Sequence, residues 1–145
     1  MIEIEPGLYL NNYERAQAWD YKPDQHYSIF NCTRDLDHIH GDNIKNRRLP
    51  IDDYLCDETV NEFIFYIPQY VRTIWEDLQQ GKVVIVHCRM GMSRSATLVA
   101  AYLIWRYRIT VDEAIALVRE KSPQSFMFVH FRCVLESFVE CFGGK

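Results

Sequence analysis

The stretch VVIVHCRMGMSRSATLVAAYLI, residues 83–104, changes its hydrophobic period halfway along. It opens as an unbroken β-branched run, the pattern of a strand buried on both faces, and from Ser93 onward reads as an apolar helix. A cysteine closes the strand, Gly91 stands in the turn, and Arg94 follows Cys88 after five intervening residues. A loop that leaves a buried strand for a helix aims successive backbone N–H groups and the positive end of the helix dipole at one point, which makes an anion nest. Gly91 has no Cβ, so the loop can curl around a tetrahedral oxyanion. The planar guanidinium of Arg94 can clamp two phosphate oxygens with paired hydrogen bonds, which a lysine cannot do as well. Arg89, Met90, Gly91, Met92, Ser93 and Arg94 are therefore the expected phosphate-binding residues.

The same field acts on Cys88, because amide dipoles, helix terminus and guanidinium all favour a thiolate. Such surroundings lower a free-cysteine pKa of about 8.5 to roughly 3.5–7.5, and each unit is worth about 1.4 kcal/mol of preference for the anion. A thiolate aimed at a phosphoryl group can form a phosphocysteine that water then hydrolyses. Ser95 can donate its hydroxyl to the sulfur and help it leave in the second step. His87 is expected to order the loop through imidazole hydrogen bonds rather than to transfer the proton. A lone buried cysteine is commonly only a small apolar filler; strand, His-Cys, five residues, Arg-Ser and helix together carry the inference.

The rest of the chain fits that chemistry. Its 145 residues suit one domain, spanning 1–145, with a core that needs no disulfide or metal staple. Apolar residues at 48% and charged residues at 25% are the balance of a soluble globular protein. No run approaches the eighteen or so apolar residues of a spanning helix, and MIEIEPGLYL lacks a signal peptide's basic flank and long apolar region. The expectation is no membrane anchor and a cytoplasmic or nuclear location. Cys32, Cys56, Cys88, Cys133 and Cys141 are odd in number and form no CxxC pair, so they read as reduced thiols, with no metal site. No cofactor is expected. A net charge of −4 argues against general nucleic-acid binding and is silent about a local anion site.

GLYLNN (7–12) and YSIFNCT (27–33) read as short strands, with YERAQAW (13–19) a helix between them and RRLPIDD (47–53) a third extended piece. From Asp57 to Leu78, apolar residues recur at steps of three and four on one helical face. Pro68 lies inside that pattern, so either the helix kinks there, the favoured reading, or a second helix starts with it. Gly81 ends the segment. TVDE at 110–113 is a capping box opening the next helix, and 126–142 reads as a final helix stopped by Gly143 and Gly144. Strands alternating with helices indicate an α/β fold with a mainly parallel sheet.

VHCRMGMSRSATLVAAYLI resembles the HC-x5-R signature of cysteine-dependent protein phosphatases, and its SRSAT…AYL extension resembles the dual-specificity branch. PGLYL, IFNCT, LPIDD and ITVDEAIALVREKSP have family counterparts, so the likeness runs along nearly the whole chain. Asn11, where the family often has Gly, and the missing Asn after Pro in SPQSFMFVHF are departures. The resemblance implies a single domain with a central five-stranded sheet flanked by helices, no metal, and phosphorylated protein substrates. It also implies a pocket shallow enough for phosphoserine or phosphothreonine as well as phosphotyrosine. Of the aspartates in LPIDDYLCDE, the resemblance selects Asp53 as the proton donor to the leaving oxygen, while Asp57 suits a helix-capping role and Asp52 that of a solvated neighbour. Asn31 either hydrogen-bonds the phosphate loop, as its family counterpart does, or caps a local turn. Arg34, Arg47 and Arg48 either line the rim or are merely solvated. Two other functions compete: a phosphatase for phosphoinositides or RNA 5′-phosphates, and a phosphoprotein-binding module without turnover. One basic residue and two methionines inside the loop favour a protein substrate, and retention of both Cys88 and Arg94 favours turnover. The oligomeric state is not legible.

Overall fold

The computed structural model describes residues 2–54, 56–89, 93–125 and 131–142. In chain order these form β1 (Ile2–Glu5), β2 (Leu8–Asn12), α1 (Tyr13–Ala18), β3 (Tyr27–Asn31), β4 (Ile44–Arg48), α2 (Asp57–Gln79), β5 (Val83–Cys88), α3 (Ser93–Tyr107), α4 (Val111–Lys121) and α5 (Arg132–Phe142). The five strands make one sheet in the order β1-β2-β5-β3-β4, in which β1 alone is antiparallel. Sequence reading did not find β1. It joins β2 through Pro6 and Gly7, and Gly7 takes a φ of +88° that the turn requires.

Alternation along β5 divides the core. Val84, Val86 and Cys88 face α2, α3, α4 and α5, while Val83 and Ile85 pack with Tyr13 and Ala16 of α1. Helix α3 runs through the larger layer, and every residue from Ser93 to Ile104 is buried, as expected of a helix apolar on all sides. Helix α2 presents Phe63, Ile67, Val71 and Ile74 to the same layer. One helix continues through Pro68, so no second helix starts there. It ends in a Schellman motif, with Gly81 N–H bonded to Leu78 O at 3.1 Å, Lys82 N–H to Asp77 O at 3.0 Å, and Gly81 at φ +79°. The Thr110 and Glu113 capping box is present at the start of α4.

Two boundaries differ from expectation. The extended piece read at 47–53 is a strand at Ile44–Arg48. Leu49 N–H still bonds Asn31 O at 2.9 Å, but Pro50 has no N–H to continue the ladder. The N-cap of α2 is Cys56, with Asp57 in the first turn, so Asp57 complements the helix dipole rather than capping. The final helix is described from Arg132; residues 126–130 and the stop at Gly143 and Gly144 lie outside the described residues.

Candidate active site

Cys88 is the last residue of the central strand β5, with Asn12 of β2 beside it in register. It is only 2% exposed, and its Sγ lies 3.2 Å from the Ser95 hydroxyl in the first turn of α3. Strand end and helix start thus bring the two expected reacting groups together. Ser93, the first residue of α3, is buried, and its carbonyl accepts a bond from the Thr97 hydroxyl at 2.6 Å. Met90, Gly91 and Met92 lie outside the described residues.

Arg94 is 5% exposed. One terminal nitrogen donates to the Ile51 carbonyl at 2.8 Å, and Nε stands 3.9 Å from Asp53 Oδ1. Among the described residues, Nε finds no hydrogen-bond partner. A buried donor left unmatched costs about 1–3 kcal/mol, more when charged, so an arriving anion oxygen would recover it. No pattern in the sequence pointed to the Ile51 carbonyl, because a backbone acceptor leaves no residue-type signal.

Arg89 behaves differently from Arg94. Its side chain pairs with Asp35 at 2.6 Å, both exposed, while its carbonyl accepts from Tyr13 N–H at 3.1 Å and ties the loop to α1. His87 is fully buried, with its ring 5.4 Å from that of Tyr13. Burial pushes its pKa down to about 4, so it is neutral at pH 7; the nearby Cys88 backbone opposes this but falls outside hydrogen-bond geometry. Neither ring nitrogen has a hydrogen-bond partner among the described residues, and Met90, Gly91 and Met92 of the loop it is expected to order lie outside them. Its packing against Tyr13 is what fixes it.

Asn31 Nδ2 donates to Leu36 O at 2.8 Å and Oδ1 accepts from the Thr33 hydroxyl at 2.6 Å, holding the turn after β3. Arg48 supports the same turn through Thr33 O and Leu36 O at 3.0 and 2.9 Å. Arg47 reaches Ser28 Oγ at 2.9 Å and Asp77 Oδ2 at 3.3 Å. These two arginines therefore brace the sheet rather than the rim. Arg34 bridges Asp52 at 3.3 Å and Glu62 at 2.9 Å on the surface.

The three candidate acids are thereby separated. Asp53, with its side chain 48% exposed, adjoins Arg94; Asp52 is turned to Arg34; Asp57 is exposed on α2. Cys32 is buried, and desolvation, reinforced by Cys88 and only partly opposed by Arg94, pushes its thiol well above the usual range. It stays protonated at neutral pH. Among the described residues, no group of three or more His, Cys, Asp or Glu side chains could hold a metal ion, and no helix is long and apolar enough to cross a membrane.

The family model described as "Dual specificity phosphatase, catalytic domain" matches residues 8–139. The chain is 32% identical over 143 residues to the Drosophila melanogaster dual specificity protein phosphatase Mpk3, covering 94% of this chain but 33% of that protein. It therefore spans about a third of that relative's length. It is 26% identical to dual specificity protein phosphatase 1B of Arabidopsis thaliana, over 100% of this chain and 85% of the relative. The crystal structure of human DUSP28 superposes with a TM-score of 0.79 at 18% identity, covering 97% of this chain and 96% of that one, a likeness of fold.

Proposed function

The chain belongs to the dual specificity phosphatase catalytic domain family, and from that membership we propose that it hydrolyses phosphotyrosine and phosphoserine or phosphothreonine in proteins through a phosphocysteine intermediate. The observation that carries the proposal is the pairing, at one strand-to-helix turn, of Cys88 Sγ 3.2 Å from Ser95 Oγ with a buried Arg94 whose Nε has no hydrogen-bond partner among the described residues. Loop amides and Arg94 bind the phosphoryl oxygens and gain strength as charge develops in the transition state. The Cys88 thiolate attacks phosphorus; the P–O ester bond breaks, and Asp53 protonates the departing oxygen. Water then attacks phosphorus and gives its proton back to Asp53. The S–P bond breaks, and the Ser95 hydroxyl donates to the returning thiolate.

Arg34, Arg47 and Arg48 are all engaged by protein groups, so Arg94 is left to bind one phosphate and no second anion subsite is assembled from them. That supports a singly phosphorylated side chain over a polyphosphorylated head group. Turnover of 4-nitrophenyl phosphate and of tyrosyl and threonyl phosphopeptides tests the reading. Wild type is expected to hydrolyse all of them, with competitive inhibition by vanadate and none by EDTA, and Cys88→Ser is expected to hydrolyse none. Turnover by Cys88→Ser would remove the covalent mechanism, and loss on chelation would call for a metal.

A further inference from the structure

Helix α2 starts just beyond the loop that carries Asp53, and it bears Asp57, Glu58 and Glu62 with no lysine or arginine before Arg72. Glu58, Asn61, Glu62, Phe65 and Tyr66 line an open groove of about 540 Å3 on its outer side. Phe65 is 73% exposed, and its ring meets Tyr66 edge-on at 5.1 Å between centroids. Glu62 is already held by Arg34, so the phenyl ring is apolar contact area with the exposed Glu58 carboxylate at its border, which suits a ligand that is apolar and cationic together.

Ion pairs link this groove's edge to the candidate catalytic site. Arg34 ties Glu62 to Asp52 at 2.9 and 3.3 Å, and the adjoining Asp53 stands 3.9 Å from Arg94 Nε. Those ion pairs and one peptide step connect the anion clamp to the groove's edge, so the segment that meets the groove lies a few residues from the phosphorylated one, about three to five at the reach of an extended chain.

We propose that the groove docks the substrate's own flanking segment, and that this segment is basic and apolar: a lysine or arginine beside a leucine-like side chain, about three to five residues from the phosphorylated one. The inference rests on the phosphatase reading and narrows it to a substrate class. A second copy of the chain could offer a basic aromatic corner, Arg106 over the half-exposed Tyr107 ring, but the Arg34 link from Glu62 to Asp52, next to Asp53, favours the substrate.

The experiment uses two phosphotyrosyl peptides of equal length, one with Lys-Leu-Lys and one with Glu-Ser-Glu four residues from the phosphotyrosine, placed on either side in turn. Wild type is compared with Glu58→Lys and Phe65→Ser, both at exposed positions outside the proposed catalytic groups, and 4-nitrophenyl phosphate serves as a substrate without flanks. Wild type is expected to favour the basic peptide by about tenfold in kcat/KM at low salt, chiefly through KM, and each variant to lose most of that preference. Hydrolysis of 4-nitrophenyl phosphate should not change. Equal use of both peptides by wild type, or an equal loss on 4-nitrophenyl phosphate in the variants, would overturn the proposal. If wild type hydrolyses none of the three, the phosphatase reading fails, and fluorescence anisotropy with the same peptides decides the groove: preferential binding of the basic peptide, lost in Phe65→Ser, upholds it, and equal binding rejects it. A wild-type dimer that Phe65→Ser turns into a monomer in sedimentation would assign the groove to a second copy and overturn the substrate proposal.

Discussion

Asp53 Oδ1 stands 3.9 Å from Arg94 Nε, whereas the neighbouring Asp52 carboxylate is turned away to Arg34. In the proposed mechanism a proton donor must reach the oxygen of the ester held by Arg94, which singles out the carboxyl beside Arg94 for test. Asp53→Asn is expected to slow hydrolysis of alkyl and phenyl phosphates by about 10²–10⁴-fold and that of activated aryl esters far less, because a good leaving group needs no proton. Rates across a leaving-group series check this. Selective loss in Asp57→Asn instead would move the acid to α2.

Arg94→Lys keeps the charge and removes the fork. The Ile51 carbonyl bond positions the guanidinium, and a compact ammonium, although it has three donors, lacks the planar fork that spans that carbonyl on one side and two phosphate oxygens on the other. Losing two charge-assisted bonds, each worth about 1.5–3 kcal/mol, predicts a fall of at least about 10²-fold in kcat/KM, with weaker vanadate inhibition. Near-normal kinetics with undiminished vanadate binding would show that Arg94 is not the clamp.

In the proposed mechanism the Ser95 hydroxyl, 3.2 Å from Cys88 Sγ, acts in the second step and not the first. Removing the hydroxyl leaves attack on phosphorus intact and withdraws the bond that eases departure of the sulfur. Ser95→Ala is therefore expected to give a stoichiometric burst of nitrophenol followed by a steady state slowed roughly 10-fold or more, about one hydrogen bond to a charged group. Stopped-flow absorbance measures both phases. A slowed burst would place Ser95 in the first step.

The strand and helix that flank the turn were legible because three signals coincide there: a buried β run, a reactive residue pair at fixed spacing, and an apolar helix. Helix α2 and the α4 capping box were legible through period and short-range chemistry. Strand β1 was not, although Ile2 and Ile4 alternate with Glu3 and Glu5, since four residues of such alternation are a weak signal and its antiparallel pairing comes from the Pro6-Gly7 turn. The roles of Arg47 and Arg48 were also hidden. Their partners Asp77, Thr33 and Leu36 are brought to them by the sheet, and an arginine near a strand end looks the same whether it meets a substrate or the protein. His87 illustrates the same limit, because its motif suggested hydrogen bonds and its burial against Tyr13 came only with the fold.

The depressed pKa of His87, about 4, predicts a pH-dependent stability. The unfolded imidazole takes up a proton near pH 6.5 and the folded one only near pH 4, so His87's contribution is complete above about pH 6.5 and fades as pH falls to about 4. Between pH 7 and pH 5 the loss attributable to this residue is about 2 kcal/mol. Urea unfolding of wild type and His87→Asn at both values checks it: wild type should lose about 2 kcal/mol more than the variant over that interval. Parallel pH curves would mean that His87 is protonated equally in both states.

Asp77 joins the last turn of α2 to the sheet far from Cys88. Its buried carboxylate accepts from Ser28 Oγ at 2.6 Å and Arg47 Nη1 at 3.3 Å and lies 3.5 Å from Lys82 Nζ, while the Arg47 guanidinium also covers the Phe30 ring at 5.6 Å. The cluster thus links α2 to β3 and β4 and to the residue that opens onto β5. Removing one side of a buried pair strands the other, so Asp77→Ala should cost about 3–5 kcal/mol, a fall in Tm of roughly 10–15 °C for a domain of this size. Replacing Asp77 and Arg47 by apolar residues, Asp77→Leu with Arg47→Met, should cost clearly less than the sum of the single changes, because no guanidinium is left stranded and the part-exposed Lys82 can turn to solvent. At a temperature where Asp77→Ala is still folded, 4-nitrophenyl phosphate turnover per folded molecule should match wild type, since no atom of the cluster touches Cys88, Ser95 or Arg94. Additive costs in the double variant would show that Asp77 and Arg47 stabilise the fold independently, and a lower turnover per folded molecule would show that the cluster also shapes the phosphate loop.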